Sequence, residues 1–419
     1  MGQASRPFDA RSTLAGSAAE IAADEAVHAP PTSLTIEQAL EFAAENSPLV
    51  KEAQAATDRA QAGIRTARAY TNPSVEVMGG DQSARPIATP GVPGILQHYS
   101  ASQTVEIPTA RHSRIRAAAL DYAGTRYRLE GMRLSVAAEV KRAFYDVIRR
   151  KHQLEQARDN LTLVEDLRRR VRLEVEVGEK GKLELTRAEA EQSRALAAVR
   201  SADVQLAAAR ALLKARIGAA SDETFDAVGS LDETVNFDPL GELRKRVLAN
   251  HPALAEADAQ TARARAQVDN QRARRIPEPT FSGEYERQPD INYYRFGVSV
   301  PLPLWDRRKG QIAEAKSEVN RTQAAAEQRR LEVMAALERA YDQYEISNEQ
   351  VVGLEAGSLR EAEAAVEAAR AAYKFGERGI VEVLDAQRVL QGVRSDLLDA
   401  RFVRRSALID LEELGATHK

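Results

Sequence analysis

The chain has 419 residues, of which 29% are charged and only 5% aromatic, and it contains no cysteine. No apolar run approaches the ~18 residues that a membrane-crossing helix needs, so any crossing must use strands. A net charge of −3 gives no reason to expect nucleic acid, six scattered histidines offer no zinc-site spacing, and disulfides and a lipidated N-terminal cysteine are excluded in the chain as given.

Residues 1–33 are rich in Ala, Ser and Pro and lack an apolar signal core, which predicts a flexible lead-in: either a signal was removed or the chain is not exported. Thr35 with Gln38 then spells a capping box, and Ser47 is expected to cap a second helix with Pro48 at its first position. Strands are expected at Ser74–Gly80 and 98–107. From Pro108 to about Val177 there is no proline, and ~70 helical residues at about 1.5 Å each make a rod of roughly 100 Å. Gly178 and Gly181 mark a tight reversal, followed by a returning helix over Leu183–Ile217. After a linker at 219–238 the grammar recurs, with Asp238 before Pro239 and His251 before Pro252 as helix starts. Strands at Thr280–Glu286 and 294–300 follow, then a proline-free rod from Pro303 to Phe375, a reversal at Gly376 and Gly379, and a return over Ile380–Leu414.

The two passages are copies. Tyr99 to Pro108 aligns with Tyr294 to Pro303 without a gap, Arg142-Ala143-Phe144 answers Arg339-Ala340-Tyr341, Gly178-Glu179-Lys180-Gly181 answers Gly376-Glu377-Arg378-Gly379, and Ile217-Gly218 answers Leu414-Gly415. A duplicated unit of this length is a folded half rather than a solenoid repeat. The expected organisation is a first repeat at 34–218 with a strand hairpin at about 73–107 and a tip at 178–181, a linker at 219–238, a second repeat at 239–415 with a hairpin at about 279–301 and a tip at 376–379, and a tail at 416–419. Each returning helix is half as long as its rod. The helices near 48–71 and 252–275 supply the missing half, with Ala and Leu at coiled-coil-like spacing.

In the strands, His98, Ser100, Ser102, Thr104 and Glu106 alternate with Tyr99, Ala101, Gln103, Val105 and Ile107, while Tyr294, Phe296, Val298 and Val300 alternate with Arg295, Gly297 and Ser299. Val75 and Val77 flank Glu76, and Phe281 and Tyr285 flank Glu284. One apolar and one polar face is the pattern of outer-membrane strands. Four strands leave two open edges and cannot enclose a pore in lipid, so closure calls for several chains, and three would make 12 strands.

Two segments carry a family resemblance: Tyr373-Lys374-Phe375-Gly376-Glu377-Arg378-Gly379 running on to Gln387, and Pro301-Leu302-Pro303-Leu304-Trp305-Asp306-Arg307-Arg308-Lys309-Gly310. From about residue 34 the chain resembles the TolC-type outer-membrane efflux factors, and the second segment is similar to the strand-to-helix junction of their heavy-metal branch, the cobalt–zinc–cadmium resistance factors. The resemblance implies a mainly α fold with a membrane β-barrel portion: duplicated long helical hairpins forming a trimeric α-barrel, plus 4 strands per chain in a 12-stranded trimeric β-barrel. It implies a homotrimer in outer-membrane lipid with the helical barrel extending into the periplasm, a passive exit duct for divalent cations of the cobalt, zinc and cadmium type. A periplasmic adaptor would join it to a proton-driven inner-membrane pump. Nothing in it calls for a cofactor, nucleotide or enzymatic activity.

The resemblance also assigns residues. Tyr373 and Arg378 match a gate pair whose partners map onto Leu183 and Glu184. Leu183 has no side-chain acceptor, so the gate is expected to rest mainly on Tyr373 and Glu184. Glu382 and Asp385, three apart on one helix face, match two acidic rings of the channel lumen, six carboxylates under threefold symmetry. Gly178, Gly181, Gly376 and Gly379 are the expected adaptor-contact tips. His98 faces the expected lumen and His112 follows the junction, but neither is assigned to a metal. The alternatives are an outer-membrane factor exporting drugs or other small molecules, a periplasmic adaptor and a cytosolic coiled coil. An adaptor carries one helical hairpin where this chain has two, and a coiled coil does not account for Tyr-rich strands interrupting the helices.

Overall fold

The computed structural model describes residues 33–83, 91–219, 226–232, 235 and 237–416. The expected lead-in, apart from Ser33, and the last three residues of the expected tail lie outside the described residues. In chain order the elements are β1 (Ser33–Leu34), α1 (Ile36–Asn46), α2 (Pro48–Arg68), β2 (Ser74–Gln82), β3 (Gly94–Thr104), α3 (Pro108–Glu176), α4 (Lys182–Ile217) and β4 (Asp226–Ala227). Then follow α5 (Leu240–Asn250), α6 (Pro252–Ala273), β5 (Thr280–Arg287), β6 (Asn292–Ser299), α7 (Lys309–Gly353), a π-turn (Leu354–Ser358), α8 (Leu359–Lys374) and α9 (Ile380–Glu413). No helix among the described residues is long and apolar enough to cross a membrane. The chain forms two compact units, each assembled from three separate stretches of sequence.

The strand-bearing unit takes residues 48–138, the described part of 234–346, and 406–416. Its helical core is Leu243 and Val247 of α5, Leu254 of α6, Leu337 and Tyr344 of α7, and Leu408 and Leu411 of α9. Each such side chain taken from water contributes about 1.5–3 kcal/mol. Tyr344 satisfies its hydroxyl inside this apolar cluster by donating to the Val235 carbonyl at 2.8 Å. His251 caps α6, its Nδ1 accepting from the Ala253 N–H at 3.2 Å. Asp238 does not cap α5: Pro239 occupies the N-cap position, and the Asp238 carboxylate is taken by the guanidinium of Arg246. A charged fork is a stronger partner for a carboxylate than a lone backbone N–H.

The four strands form one antiparallel sheet in the order β2-β3-β5-β6. Register converts the period-two pattern into faces, because residues paired across antiparallel strands point the same way. Val77, Tyr99, Tyr285 and Tyr294 make one row, Val75, Ala101, Gly283 and Phe296 the next, and Gln103, Phe281 and Val298 a third. The opposite face holds Glu76, Ser100, Glu284 and Arg295 in one row, and His98, Glu286 and Tyr293 in another. The apolar face is bare: Phe296 is 90% exposed, Val75 74% and Tyr294 72%. Among the described residues β2 and β6 each pair on one side only, so the sheet has two free edges.

The second long helix begins at Lys309, not at Pro303 as the proline pattern suggested. Asp306 accepts from the Arg308 N–H at 2.8 Å, and Arg308 sits at φ 56°, so this turn holds the chain out of helix until Lys309. Leu302, Leu304 and Trp305 stand exposed on the connection, Trp305 at 92%.

The hairpin-bearing unit takes the described residues of 33–47, 139–232 and 347–405. Here the expected capping box forms, Gln38 Oε1 accepting from Thr35 N–H at 3.0 Å while the Thr35 hydroxyl accepts from Gln38 N–H at 3.4 Å. β1 and β4 pair in parallel, a contact too short for any periodicity to announce. Asp226 on β4 receives Lys151 Nζ at 2.5 Å and Arg210 at 3.0 Å. Burial pushes its carboxyl up, and these two hydrogen bonds with their charges outweigh that and hold it below the ordinary aspartate range. Val140, Phe144 and Val147 on α3 and Leu213 and Ile217 on α4 are fully buried.

Candidate functional site

The two hairpins of this unit end in turns of one design. Gly178 at φ 83° and Gly376 at φ 75° occupy the left-handed region, which costs an L side chain energy and glycine none. In the first, the N–H of Glu179 donates to Glu174 O at 2.9 Å. In the second, that of Glu377 donates to Ala372 O at 2.9 Å, the six-to-one bond of a Schellman stop. Gly181 and Gly379 then open α4 and α9.

Tyr373, three residues before Gly376, lies half-buried against Leu167, Val171, Ala188, Ile380, Val383 and Leu384. Its hydroxyl donates to Glu174 Oε2 at 2.6 Å, so the first hairpin supplies the acceptor from α3 and not from Glu184 on α4 as expected. Glu174 lies one turn before Gly178, on the strip of α3 that faces the cluster holding the ring. Glu184 acts on Tyr373 through its charge alone. Burial first, then the Glu174 hydrogen bond and the charges of Glu174 and Glu184, push the phenol well above its ordinary range. Lys180 Nζ stands 5.8 Å from the ring centroid.

Arg378 does not reach the first hairpin. Among the described residues its ion pair is with Glu382 Oε1, four residues on in the first turn of α9, at 4.0 Å, with both side chains largely exposed. Leu183 is 62% exposed and offers no acceptor. Glu382 and Asp385 do share an exposed strip of α9. Asp385 pairs with Arg388 Nη1 at 2.9 Å, and the other arm of Arg388 reaches Glu191 of α4 at 2.8 Å. The Glu191 bond, then its charge and that of Asp385, raise the already basic guanidinium further. This strip therefore carries three carboxylates against two guanidinium groups, not two bare carboxylates. Arg388 was open to sequence reasoning, since Asp385 and Arg388 are helical neighbours at i, i+3. Glu174 and Glu191 were not, because their partners are on another helix.

No group of three or more His, Asp or Glu among the described residues is arranged to hold a metal ion. His98 lies opposite Met78 and Glu286 in the sheet, and His112 Nδ1 bonds Pro108 O at 3.0 Å, a contact within its own helix start. The tip is an assembly of hydrogen bonds and ion pairs between helices.

A family model described as outer membrane efflux protein matches residues 39–219 and 243–416. The chain is 28% identical over 362 residues to the cobalt-zinc-cadmium resistance protein CzcC of Cupriavidus metallidurans, covering 85% of this chain and 84% of that one. It is 28% identical over 324 residues to the nickel-cobalt-cadmium resistance protein NccC of Alcaligenes xylosoxydans xylosoxydans, covering 76% and 71%. Among solved structures, the outer membrane protein VceC of Vibrio cholerae superposes with a TM-score of 0.77 at 17% identity, over 91% of this chain and 96% of that one. The open state of the Neisseria gonorrhoeae MtrE outer membrane channel gives 0.77 at 19%, over 93% and 89%. At such identities the structural matches establish the fold.

Proposed function

The chain belongs to the outer membrane efflux protein family, and from that premise we propose that it is the outer-membrane duct of a tripartite efflux system for divalent heavy-metal cations. It catalyses nothing and conducts passively. The observation that carries the reading is the four-stranded sheet with two free edges and one bare apolar face. In water such a face and such edges are liabilities; in a bilayer the face is solvated by lipid, and the edges require closure by further strands. A homotrimer closes it with 12 strands, β6 of one protomer meeting β2 of the next. The polar face then lines the pore, with Glu284 and Glu286 gripping Arg295 at 2.8 and 2.9 Å.

The cargo reading rests on the relatives whose names specify cobalt, zinc, cadmium and nickel resistance. An inner-membrane proton-driven pump and a periplasmic adaptor complete the system, with Gly178, Gly181, Gly376 and Gly379 as the adaptor-facing tips. Tyr373 holds the periplasmic end shut through Glu174, helped by the charge of Glu184, while Arg378 is held by Glu382 until a neighbouring protomer or the adaptor takes it. Glu382 and Asp385 form the cation-selecting constriction.

Expression with a signal peptide in a two-membrane bacterium, detergent extraction and measurement of native mass test this reading. Three chains of 45.9 kDa, about 138 kDa of protein, are expected from the membrane fraction. A monomer or dimer that needs no detergent overturns it.

A further inference from the structure

Between the Arg142 motif and the tip glycine Gly178, the two copies differ in length by one residue. From Arg142 to Gly178 is 36 residues, and from the matching Arg339 to Gly376 is 37. Burial locates the extra residue: Leu154 and Val351 are both buried 197 positions apart, while Val164 and Ala362 are both buried 198 apart. The insertion therefore falls between Val351 and Ala362, where the π-turn Leu354–Ser358 interrupts the helix and α3 of the first copy runs on unbroken. A π-turn is how an α-helix takes in a single extra residue: the Leu359 N–H bonds Leu354 O, five residues back, and the flanking turns keep their faces.

We infer that this turn is a hinge for α8, the segment that carries Tyr373, and that Arg401 is its latch. No residue of the turn is buried. Gly353 precedes it and Gly357 lies within it, and a Cβ at either would meet nothing within 4 Å, so packing does not demand glycine there. What glycine does supply is a low helix propensity. Beyond the hinge α8 buries Ala362 and Val366 on Leu390 of α9, and at its far end Tyr373 is held in the tip cluster. Across the hinge, Arg401 of α9 grips Glu355 at 2.7 Å and Asp232 of the inter-repeat connection at 3.1 Å. Releasing Arg401 frees the turn and lets α8 swing with Tyr373 while α3, which has no such turn, stays straight. The gating role of that swing rests on the proposed channel function; the hinge itself does not.

Hydrogen exchange on the purified full chain in detergent tests the hinge without reference to transport. Deleting Gly357 returns the second copy to the spacing of the first. The variant is expected to fold, with amides 353–359 exchanging at least tenfold more slowly, and Gly353→Ala with Gly357→Ala to slow them without changing length. Arg401→Gln is expected to speed the same amides. Loss of the fold on deletion would refute the one-residue phase argument, and unchanged exchange in the deletion and in Arg401→Gln would refute the hinge and its latch. Failure of the channel reading would appear instead in the native mass, whatever the exchange shows.

Discussion

Tyr373 on the second hairpin donates its hydroxyl to Glu174 on the first at 2.6 Å, a side-chain hydrogen bond that ties an expected gate residue of one hairpin to the other. A neutral donor on a carboxylate is worth about 1.5–3 kcal/mol, and truncating the donor leaves the half-buried carboxylate short of a partner. Tyr373→Phe and Glu174→Gln are each expected to raise single-channel conductance in planar bilayers, and Glu184→Gln to change it far less, since Glu184 contributes charge only. Equal effects from Glu174→Gln and Glu184→Gln would reinstate the original pairing. Because the folded phenol is held above its unfolded value near 10, the bond's stability is fully present below pH 10 and is lost as pH rises past it. A melting temperature that falls above pH 10 in the parent and less in Tyr373→Phe checks the sign.

His251 gives an acid-side counterpart. Burial, and then the positive charge of Arg329, lower its pKa from the usual 6.5, and Nδ1 must stay unprotonated to accept from Ala253. A base whose folded pKa is depressed contributes stability above pH 6.5 and loses it as pH falls through the folded value. His251→Asn keeps a side-chain cap without the titration, and caps of this kind are worth about 1 kcal/mol. The parent should lose stability between pH 7 and 5 relative to His251→Asn; parallel melting curves in that window would show that the cap does not titrate.

The alternation Tyr294-x-Phe296-x-Val298 was legible because a period of two survives any tertiary context, and the observed register places those residues on one face. Gly178 and Gly376 were legible because only a left-handed turn calls for glycine there. What was not legible depends on distance in space. The acceptor for Tyr373 is set by which turn of α3 lies opposite α8, and spacing along the chain does not fix that. Asp238 reads as a cap until Arg246, eight residues on, outbids the backbone for it. The π-turn falls between these cases: the extra residue is countable in the sequence, but a proline-free run reads as one rod until burial is compared across the copies.

The exposed sheet face yields a directional test. Phe296 is 90% exposed on the apolar side, and Ser100 lies on the polar side of the same sheet. If the apolar side meets lipid, Phe296→Arg is expected to cost about 2–4 kcal/mol in folding into vesicles, and Ser100→Arg much less. The reverse order, or equal costs, would mean that the sheet faces water on both sides.

The acidic strip on α9 makes a prediction that bare carboxylates would not. Glu382 stands 4.0 Å from Arg378, and Asp385 and Glu191 share Arg388, so removing a carboxylate and removing its arginine should act in opposite directions. A unit charge about 4 Å from an ion's path is worth roughly 1 kcal/mol even in water-like dielectric, about fivefold in a permeability ratio. Glu382→Gln with Asp385→Asn is therefore expected to reduce the cation-to-anion permeability ratio about fivefold or more, and Arg388→Gln to increase it by freeing Asp385 and Glu191. Reversal potentials across a salt gradient measure both. Raising the salt should shrink both effects, because charges this exposed are screened beyond a Debye length of about 8 Å at physiological ionic strength. If Arg388→Gln leaves the ratio unchanged while the double carboxylate variant lowers it, Arg388 is a strut between α4 and α9 and the carboxylates act uncompensated. If neither variant moves it, the strip does not line the ion path.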